Sequence, residues 1–237
     1  TDLGVIQNSF PRESGVAVTI GGVRTNFRMP DVVSIGLGGG SIVRQQKDGS
    51  VTVGPDSVGY QITEKALCFG GDVCTATDIA VRLGMADLGD KTLVSCLDEN
   101  FAKKAMAEIR ALCEDSLDAM KVSSDDVDVI LVGGGSIVLP SDLAGAKSVI
   151  QHESGGVANA IGSAISKVSG TYEQLIDYDK IPRDEALEKA RAEAAELAVA
   201  AGAIQETVEI IDAEDVPLQY YPGNTVRIKI KAAGDLA

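Results

Sequence analysis

Two short segments of the chain share one pattern, an apolar run that ends in three glycines and a serine. They are SIGLGGGSIV at residues 34–43 and ILVGGGSIVL at residues 130–139. The apolar runs predict buried strands, and glycine allows the following backbone to take positive φ angles and to approach a ligand closely. Successive N–H groups in such a turn can form a concave anion site. Each segment therefore predicts either a phosphate-binding turn or a tight turn that binds no ligand.

Neither segment matches a common nucleotide-binding motif. No Gly-Lys-Ser/Thr follows either triple glycine, so neither is a Walker A loop, and neither has the Gly-x-Gly-x-x-Gly spacing that opens a dinucleotide-binding helix. The 26 glycines of the chain, many of them clustered, are typical of α/β proteins, in which tight turns join strands to helices.

Hydrophobic spacing and helix-end residues predict four helices and a two-part organisation. The helices lie at 75–84, 98–120, 153–168 and 182–202. Thr77 is expected to cap the first of them and Gly84 to end it. A composition shift near residues 169–183 predicts a boundary, which divides the chain into a large α/β domain at 1–168 and a small α+β appendage at 169–237.

The charge and cysteine content of the chain argue against several classes of protein. The formal net charge is -14, and a surface of this sign does not suit nucleic-acid phosphates or anionic membranes. Four cysteines without a Cys-x-x-Cys pair, together with one histidine, give poor support for a zinc site. No signal peptide and no apolar run of about 18 residues is visible. These features predict a cytoplasmic protein with free thiols.

A specific resemblance emerges when the motifs are taken in order. MPDVVSIGLGGGSIV, then VTVGPDSVG, then TATDIAVRLG resemble the hydantoinase A/oxoprolinase family, and VDVILVGGGS and ANAIGSA resemble its later adenosine-side motif and the helix that follows. The resemblance covers roughly residues 1–168. It implies the actin-like ATPase (ribonuclease H-like) fold, with a mixed sheet and flanking helices. It also implies use of ATP and Mg²⁺ to open a cyclic amide, such as a hydantoin, 5-oxoproline or a lactam, by phosphorylating the carbonyl oxygen.

The same resemblance implies which residues face the nucleotide. Gly133, Gly134, Gly135 and Ser136 would line the adenosine side, and Asn159 would lie on the helix that closes it. Gly38, Gly39, Gly40 and Ser41 would shape the wall of the nucleotide cleft.

The family's phosphate loops have an Asp-x-Gly-Gly-Thr core, and this core is not found in the chain. Thr1 and Asp2 resemble the end of the second phosphate loop, with the glycines missing. The chain therefore resembles the C-terminal half of a larger protein. Its expected partner is the N-terminal half, on the same polypeptide or on a separate subunit, in a homo- or hetero-oligomer.

Individual polar residues allow a functional and a structural interpretation. Asp2 is a candidate catalytic and metal-binding residue that would hold Mg²⁺ through water. In the structural interpretation it is only a polar residue at the chain end. Asp78 is the second candidate catalytic residue and would orient a nucleotide or metal, or else cap a helix. His152 would act as a general base, or as a structural residue at a helix start. Arg24 and Arg28 would bind an acidic substrate or phosphate, or remain solvated.

Two other functions remain open from the sequence. In the first, the chain is a nucleotide-binding or scaffold subunit without catalytic activity, because a fold does not determine a function. Alternatively, a parent protein would be cleaved before Thr1, and the new amine would activate the threonine hydroxyl as a nucleophile.

Overall fold

The computed structural model describes residues 1–7, 10–14, 18–20, 22–25 and 29–237. Within these ranges the chain forms two compact units, Thr1–Ala158 and Asn159–Ala237. The first unit ends earlier in the chain than the predicted boundary after residue 168, and the assignment of the two units to functional domains stays a prediction. Strands and helices occur in both units, as the predicted α/β class requires.

The first unit combines short antiparallel strand pairs with one parallel pair. Its strands are β1 (Asp2–Gly4), β2 (Ile6–Gln7), β3 (Phe10–Pro11), β4 (Val18–Ile20), β5 (Val23–Thr25), β6 (Val32–Ser34), β7 (Ser41–Gln45), β8 (Val51–Ser57), β9 (Val127–Leu131) and β10 (Ala146–Gln151). Its helices are α1 (Ile62–Lys65), α2 (Ala76–Arg82) and α3 (Glu99–Met120). Strand β1 pairs antiparallel with β6, β7 with β8, and β9 lies parallel to β10.

Capping residues determine where α2 and α3 begin. Asp98 accepts a hydrogen bond of 3.0 Å from a backbone N–H in the first turn of α3, which confirms the predicted helix over 98–120. In α2, Thr75 and Asp78 form a reciprocal capping box. The cap is therefore Thr75 rather than Thr77, because Thr77 already lies inside the first turn. Gly84 follows α2 with a φ of +75°, so glycine ends the helix as predicted.

Helix α3 presents the apolar face around which the first unit packs. Ala105, Ile109 and Cys113 recur at helical spacing and are almost fully buried. They share one cluster with Leu37, which precedes the first triple glycine, and with Ile79 on α2. Burying one such isoleucine stabilises the fold by about 2 kcal/mol. The buried face of α3, which follows from the helical periodicity of residues 98–120, therefore also supports the first triple-glycine segment.

The second unit is a three-stranded antiparallel sheet covered by one long helix. Its elements are α4 (Ala158–Ala164), β11 (Val168–Asp177), α5 (Arg183–Ala200), β12 (Glu209–Pro217) and β13 (Thr225–Gly234). The strand order is β11-β13-β12. Ala190, Ala194 and Ala198 of α5 are fully buried. A Cβ added at Gly170 of β11 would lie 2.3 Å from the backbone nitrogen of Ala198, so glycine at this position allows the helix to approach the strand.

The helix predicted at 153–168 is shorter than expected. Residues 153–157 form a 3₁₀ turn, and α4 spans only Ala158–Ala164. Gly155 and Gly156 lie in that turn, and glycine disfavours regular helix because it has the most backbone freedom to lose. Among the helices of the described ranges, none combines the length and the apolar character needed to cross a bilayer.

Candidate functional site

The two triple-glycine segments have different surroundings. In the first glycine loop, residues 36–41, the buried hydroxyl of Ser41 accepts a hydrogen bond of 2.9 Å from Gly38 N. The carbonyl of Gly39 accepts bonds of 3.0 Å from both the backbone N–H and the hydroxyl of Thr77. The carbonyl of Gly40 accepts one of 2.9 Å from Val58 N. Several polar groups of this loop are therefore bound to the protein itself.

Two of the three consecutive glycines in the first loop, Gly39 and Gly40, pack closely against neighbouring residues, whereas Gly38 has open space at its Cβ position. A Cβ added at Gly39 would lie 2.8 Å from the hydroxyl of Thr77, and one at Gly40 would lie 2.9 Å from the hydroxyl of Ser57. Contacts this short do not occur without movement of a neighbour. Close packing against β8 and α2 therefore accounts for two of these glycines, and a nucleotide contact by Gly38–Ser41 stays a prediction.

The second glycine loop, residues 133–136, follows the carboxyl end of β9. Gly133 has a φ of +85° and donates a hydrogen bond of 2.7 Å to the carbonyl of Gly155, which lies beyond the carboxyl end of β10. A Cβ added at Gly134 or Gly135 would meet no other described atom within 4 Å. Packing within the described chain therefore does not require glycine at these two positions, and the backbone is open to a ligand.

The location of this loop also favours a ligand. Ligands of open α/β sheets bind beyond the carboxyl ends of parallel strands. The ends of β9 and β10 meet through the Gly133–Gly155 bond and through a bond of 3.1 Å from Gln151 Nε2 to the buried hydroxyl of Ser136. We call residues 132–136 and 152–156 the carboxyl-edge loops. The adjacent Gly156 also has open space at its Cβ position.

Thr1 and Asp2 lie beside the strand that leads into the first glycine loop. The hydroxyl of Thr1 donates a hydrogen bond of 2.6 Å to the carbonyl of Leu37, and its amine donates to the carbonyls of Leu37 (2.6 Å) and Ile35 (3.0 Å). Because the Thr1 hydroxyl and amine both donate to backbone carbonyls, this geometry does not favour activation of the hydroxyl by its own amine. Asp2 is exposed and accepts a bond of 2.5 Å from the Ser34 hydroxyl.

The carboxylate of Asp78 is fully buried. It accepts hydrogen bonds from Cys68 N (2.7 Å), Thr75 N (2.8 Å) and the Thr75 hydroxyl (2.8 Å). These bonds join the start of α2 to the preceding 3₁₀ turn. They match the capping interpretation of Asp78, and a direct catalytic role for this residue has no support in the geometry because its oxygens do not reach solvent.

The remaining sequence candidates are dispersed. His152 is exposed, and its Nδ1 accepts a hydrogen bond of 3.0 Å from Ser154 N at the start of a 3₁₀ turn in the carboxyl-edge loops. Asn159 is exposed in the first turn of α4, in the second unit. Arg24 is exposed on β5, and Arg28 lies outside the described residues. Within the described ranges, no group of three or more His, Cys, Asp and Glu side chains is arranged to hold a metal ion.

Three of the four cysteine thiols are poor nucleophiles. Burial, reinforced by the charge of Asp78, raises the pKa of Cys68 and of Cys74 to about 12. Burial also raises the pKa of Cys113 to about 11. These three thiols are therefore protonated at neutral pH, whereas the thiolate is the reactive form.

A pocket of about 460 Å³ lies between α3 and the segment 141–149, and no residue of the two glycine loops lines it. Its Arg110 is already bound to Asp142 at 2.8 Å, and its Glu114 accepts a bond of 2.8 Å from Ala144 N. Arg110, Glu114 and Asp142 are therefore engaged with one another or with the backbone, and these contacts give no support for a ligand site in this pocket.

Sequence reasoning missed two contacts that connect the candidate residues. One is the double hydrogen bond from Thr77 to Gly39, and the other is the bond from Ser34 to Asp2. The TATD sequence contains a signal for the first contact, because a threonine in the first helical turn has a free backbone N–H beside its hydroxyl. Its partner lies far away in sequence and was not predictable from local pattern.

Comparison with protein families agrees with the resemblance that the ordered sequence motifs indicated. The sequence profile of the hydantoinase/oxoprolinase family matches residues 1–122. This range is about half of the chain, and the chain belongs to that family. No curated protein sequence matches the chain.

Two solved structures share its mixed α/β fold. The nucleotide-free structure of acetone carboxylase, from a study of ATP-dependent acetone carboxylation, matches with a TM-score of 0.64 at 15% identity, over 99% of this chain and 45% of that one. The ATP-dependent caprolactamase from Pseudomonas jessenii matches with a TM-score of 0.61 at 16% identity, over 90% of this chain and 42% of that one. The chain thus spans less than half the length of either protein.

Proposed function

We propose that this chain is part of an ATP-dependent enzyme that acts on a cyclic amide, such as a hydantoin, 5-oxoproline or a lactam. Membership of the hydantoinase/oxoprolinase family supports the substrate class. Similarity in fold to two proteins described as ATP-dependent, one of them a caprolactamase, supports the use of ATP. We also propose that the first unit is the C-terminal half of an actin-like ATPase and requires an N-terminal half for activity.

The observation that carries this proposal is the open second glycine loop. Its backbone lies beyond the carboxyl ends of two parallel strands, and its Gly134 and Gly135 have open space where a side chain would lie. Such a backbone can approach a nucleotide closely. In the proposed site, Gly133–Ser136 line the adenosine side, which is the role that the resemblance to the family implies.

Thr1 and Asp2 are the proposed residues on the phosphate side. Asp2 offers an exposed carboxylate, and Mg²⁺ in nucleotide sites needs only one or two carboxylates in addition to phosphate and water. The Ser34 hydroxyl holds one oxygen of Asp2, Oδ1, and so orients the carboxylate. Bound ATP would supply the phosphoryl group that makes the amide carbonyl a better electrophile for water.

The test is reconstitution of the chain with its N-terminal half. We expect ADP release that depends on both halves and that a cyclic amide stimulates, measured with hydantoin, 5-oxoproline and ε-caprolactam in parallel. Nucleotide binding without turnover for any ring would favour the non-catalytic alternative. Tight binding and turnover of ATP by the 237-residue chain alone would contradict the requirement for a second half.

A variant of the open loop provides the matched control. Gly134→Ala adds a methyl group where no described atom lies within 4 Å, whereas Gly39→Ala places one 2.8 Å from the Thr77 hydroxyl. We expect Gly134→Ala to weaken nucleotide binding with little effect on stability, and Gly39→Ala to destabilise the fold. Unchanged nucleotide affinity in Gly134→Ala would remove the main structural support for the proposal.

A further inference from the structure

The first glycine loop connects two parts of the unit that are far apart in sequence. On one side it holds Thr1, because the Leu37 carbonyl accepts a hydrogen bond of 2.6 Å from the Thr1 hydroxyl. The Thr1 carbonyl in turn accepts a bond of 2.9 Å from Ile35 N. Asp2 follows directly in β1, so Thr1 helps to place the Asp2 backbone, and the Ser34 hydroxyl then holds the Asp2 carboxylate.

On its other side the same loop is held by Thr77. Its N–H and its hydroxyl both donate to the Gly39 carbonyl at 3.0 Å, and the side chain is almost fully buried. The capping box of Thr75 and Asp78 fixes the helical turn that contains Thr77. Thr77 therefore offers two fixed donors to one carbonyl of the glycine loop.

The segment between the two anchors is short. Leu37, whose carbonyl holds Thr1, is separated by only one residue from Gly39, whose carbonyl is held by Thr77. Gly38 between them donates to the buried Ser41 hydroxyl at 2.9 Å, which restricts rotation of that peptide. A change at Thr77 is therefore expected to reach the Leu37 carbonyl rather than be absorbed within the loop.

We propose that Thr77 is a positioning residue for the phosphate side of the nucleotide site. By holding the Gly39 carbonyl, it fixes the Leu37 carbonyl, which orients Thr1 and through it Asp2. This inference rests on the proposed function, in which Thr1 and Asp2 face the phosphates and Mg²⁺. It assigns to Thr77 a role in binding ATP and not only in stabilising α2.

The experiment compares two ligands that report on opposite sides of the site. Mg²⁺–ATP and adenosine are titrated by calorimetry into the chain assembled with its N-terminal half, as the unsubstituted protein, Thr77→Val and Thr77→Ser. We expect Thr77→Val to weaken Mg²⁺–ATP binding by up to about tenfold, because no more than the free energy of the lost hydrogen bond can reach the ligand, with adenosine binding unchanged. Thr77→Ser retains the hydroxyl and restores the affinity for Mg²⁺–ATP.

Two further variants separate positioning from general destabilisation. Thr92→Val is the matched control, because its hydroxyl bonds Asp90 at 2.7 Å on the surface, and it leaves both affinities unchanged. Thr1→Val removes the bond to Leu37 from the other side. If the two threonines act through one loop, the effects of Thr77→Val and Thr1→Val on Mg²⁺–ATP are not additive in the double variant. Thr77→Ala replaces Thr77→Val if valine prevents folding.

The outcomes distinguish the inference from the proposal on which it rests. An equal loss of affinity for both ligands, or additive effects in the double variant, overturns the positioning role. Unchanged Mg²⁺–ATP affinity in a folded Thr77→Val protein also overturns it and leaves the proposed function intact. If the unsubstituted assembly does not bind Mg²⁺–ATP, the proposed function fails and the inference fails with it.

Discussion

Replacing Asp78 with alanine is expected to destabilise the first unit strongly. Asp78 is fully buried and accepts three hydrogen bonds, from Cys68 N, Thr75 N and the Thr75 hydroxyl. Alanine leaves two backbone N–H groups buried without this acceptor. A buried unsatisfied donor costs about 1–3 kcal/mol, and loss of a helix cap costs about 0.5–2 kcal/mol. We therefore expect Asp78→Ala to lower the free energy of unfolding by about 3–5 kcal/mol.

Amide hydrogen exchange measured by mass spectrometry tests this expectation at the site itself. Peptides that cover residues 66–82 report the local opening free energy, and urea unfolding followed by circular dichroism reports the global one. Asp98→Ala is the matched control, since Asp98 also caps a helix but is exposed and accepts one bond of 3.0 Å. Its expected cost is about 1 kcal/mol. If both variants are equally stable, the buried bonds of Asp78 do not hold this junction together.

Three further predictions concern other parts of the chain. Gly54→Ala is expected to destabilise the first unit by more than about 2 kcal/mol in urea unfolding, because Gly54 has a φ of +64° and an added Cβ would lie 2.2 Å from the Gly36 carbonyl oxygen. Asp215→Asn is expected to lower stability by up to about 1 kcal/mol at pH 7, and by less as the pH falls through the pKa of Asp215, which the hydrogen bond from Arg183 lowers. Cys96, the exposed cysteine, is expected to react with a thiol reagent before the other three, as measured by peptide mass spectrometry.

Each of these expectations has a clear contradicting result. A Gly54→Ala protein as stable as the parent would mean that the turn relaxes around the new methyl group. The sign of the pH effect follows from the lowered pKa of Asp215, because its stabilisation exists above the unfolded pKa and is lost as the pH falls through the folded one. A stability difference that grows towards low pH would therefore refute the assigned ion pair. Equal labelling rates for all four cysteines would contradict the burial of Cys68 and Cys113.

Sequence pattern was sufficient for the elements whose signals are local. The apolar spacing of residues 98–120 predicted α3, and glycine correctly marked the end of α2 at Gly84, where φ is +75°. The helix predicted over 182–202 likewise ends before a glycine, Gly202, whose φ is +108°. These signals succeed because helix periodicity and left-handed C-terminal residues depend on neighbouring positions. The predicted cap at Thr77 was wrong by two residues, since several polar residues in TATD can cap a helix and only packing selects one.

For the candidate site, the order of the sequence motifs identified the family and the two glycine segments. It did not show that the two segments differ in their packing. Both have an apolar run followed by Gly-Gly-Gly-Ser, yet a Cβ at Gly39 meets Thr77 at 2.8 Å, whereas one at Gly134 meets no described atom within 4 Å. The difference comes from Thr77, which is 38 residues away along the chain from Gly39.

The sequence by itself determined three things. These are the acidic character of the chain, its family, and the positions of the strands and helices that have strong local periodicity. Only the tertiary structure decided which glycine loop is packed and which is open, and that Asp78 is a buried cap. The physical reason is that local pattern specifies backbone conformation, whereas burial and hydrogen-bond partners depend on residues that folding brings together from distant positions. The same sequence, Gly-Gly-Gly-Ser, therefore packs closely at Gly39 and Gly40 in the first loop and leaves open backbone at Gly134 and Gly135 in the second.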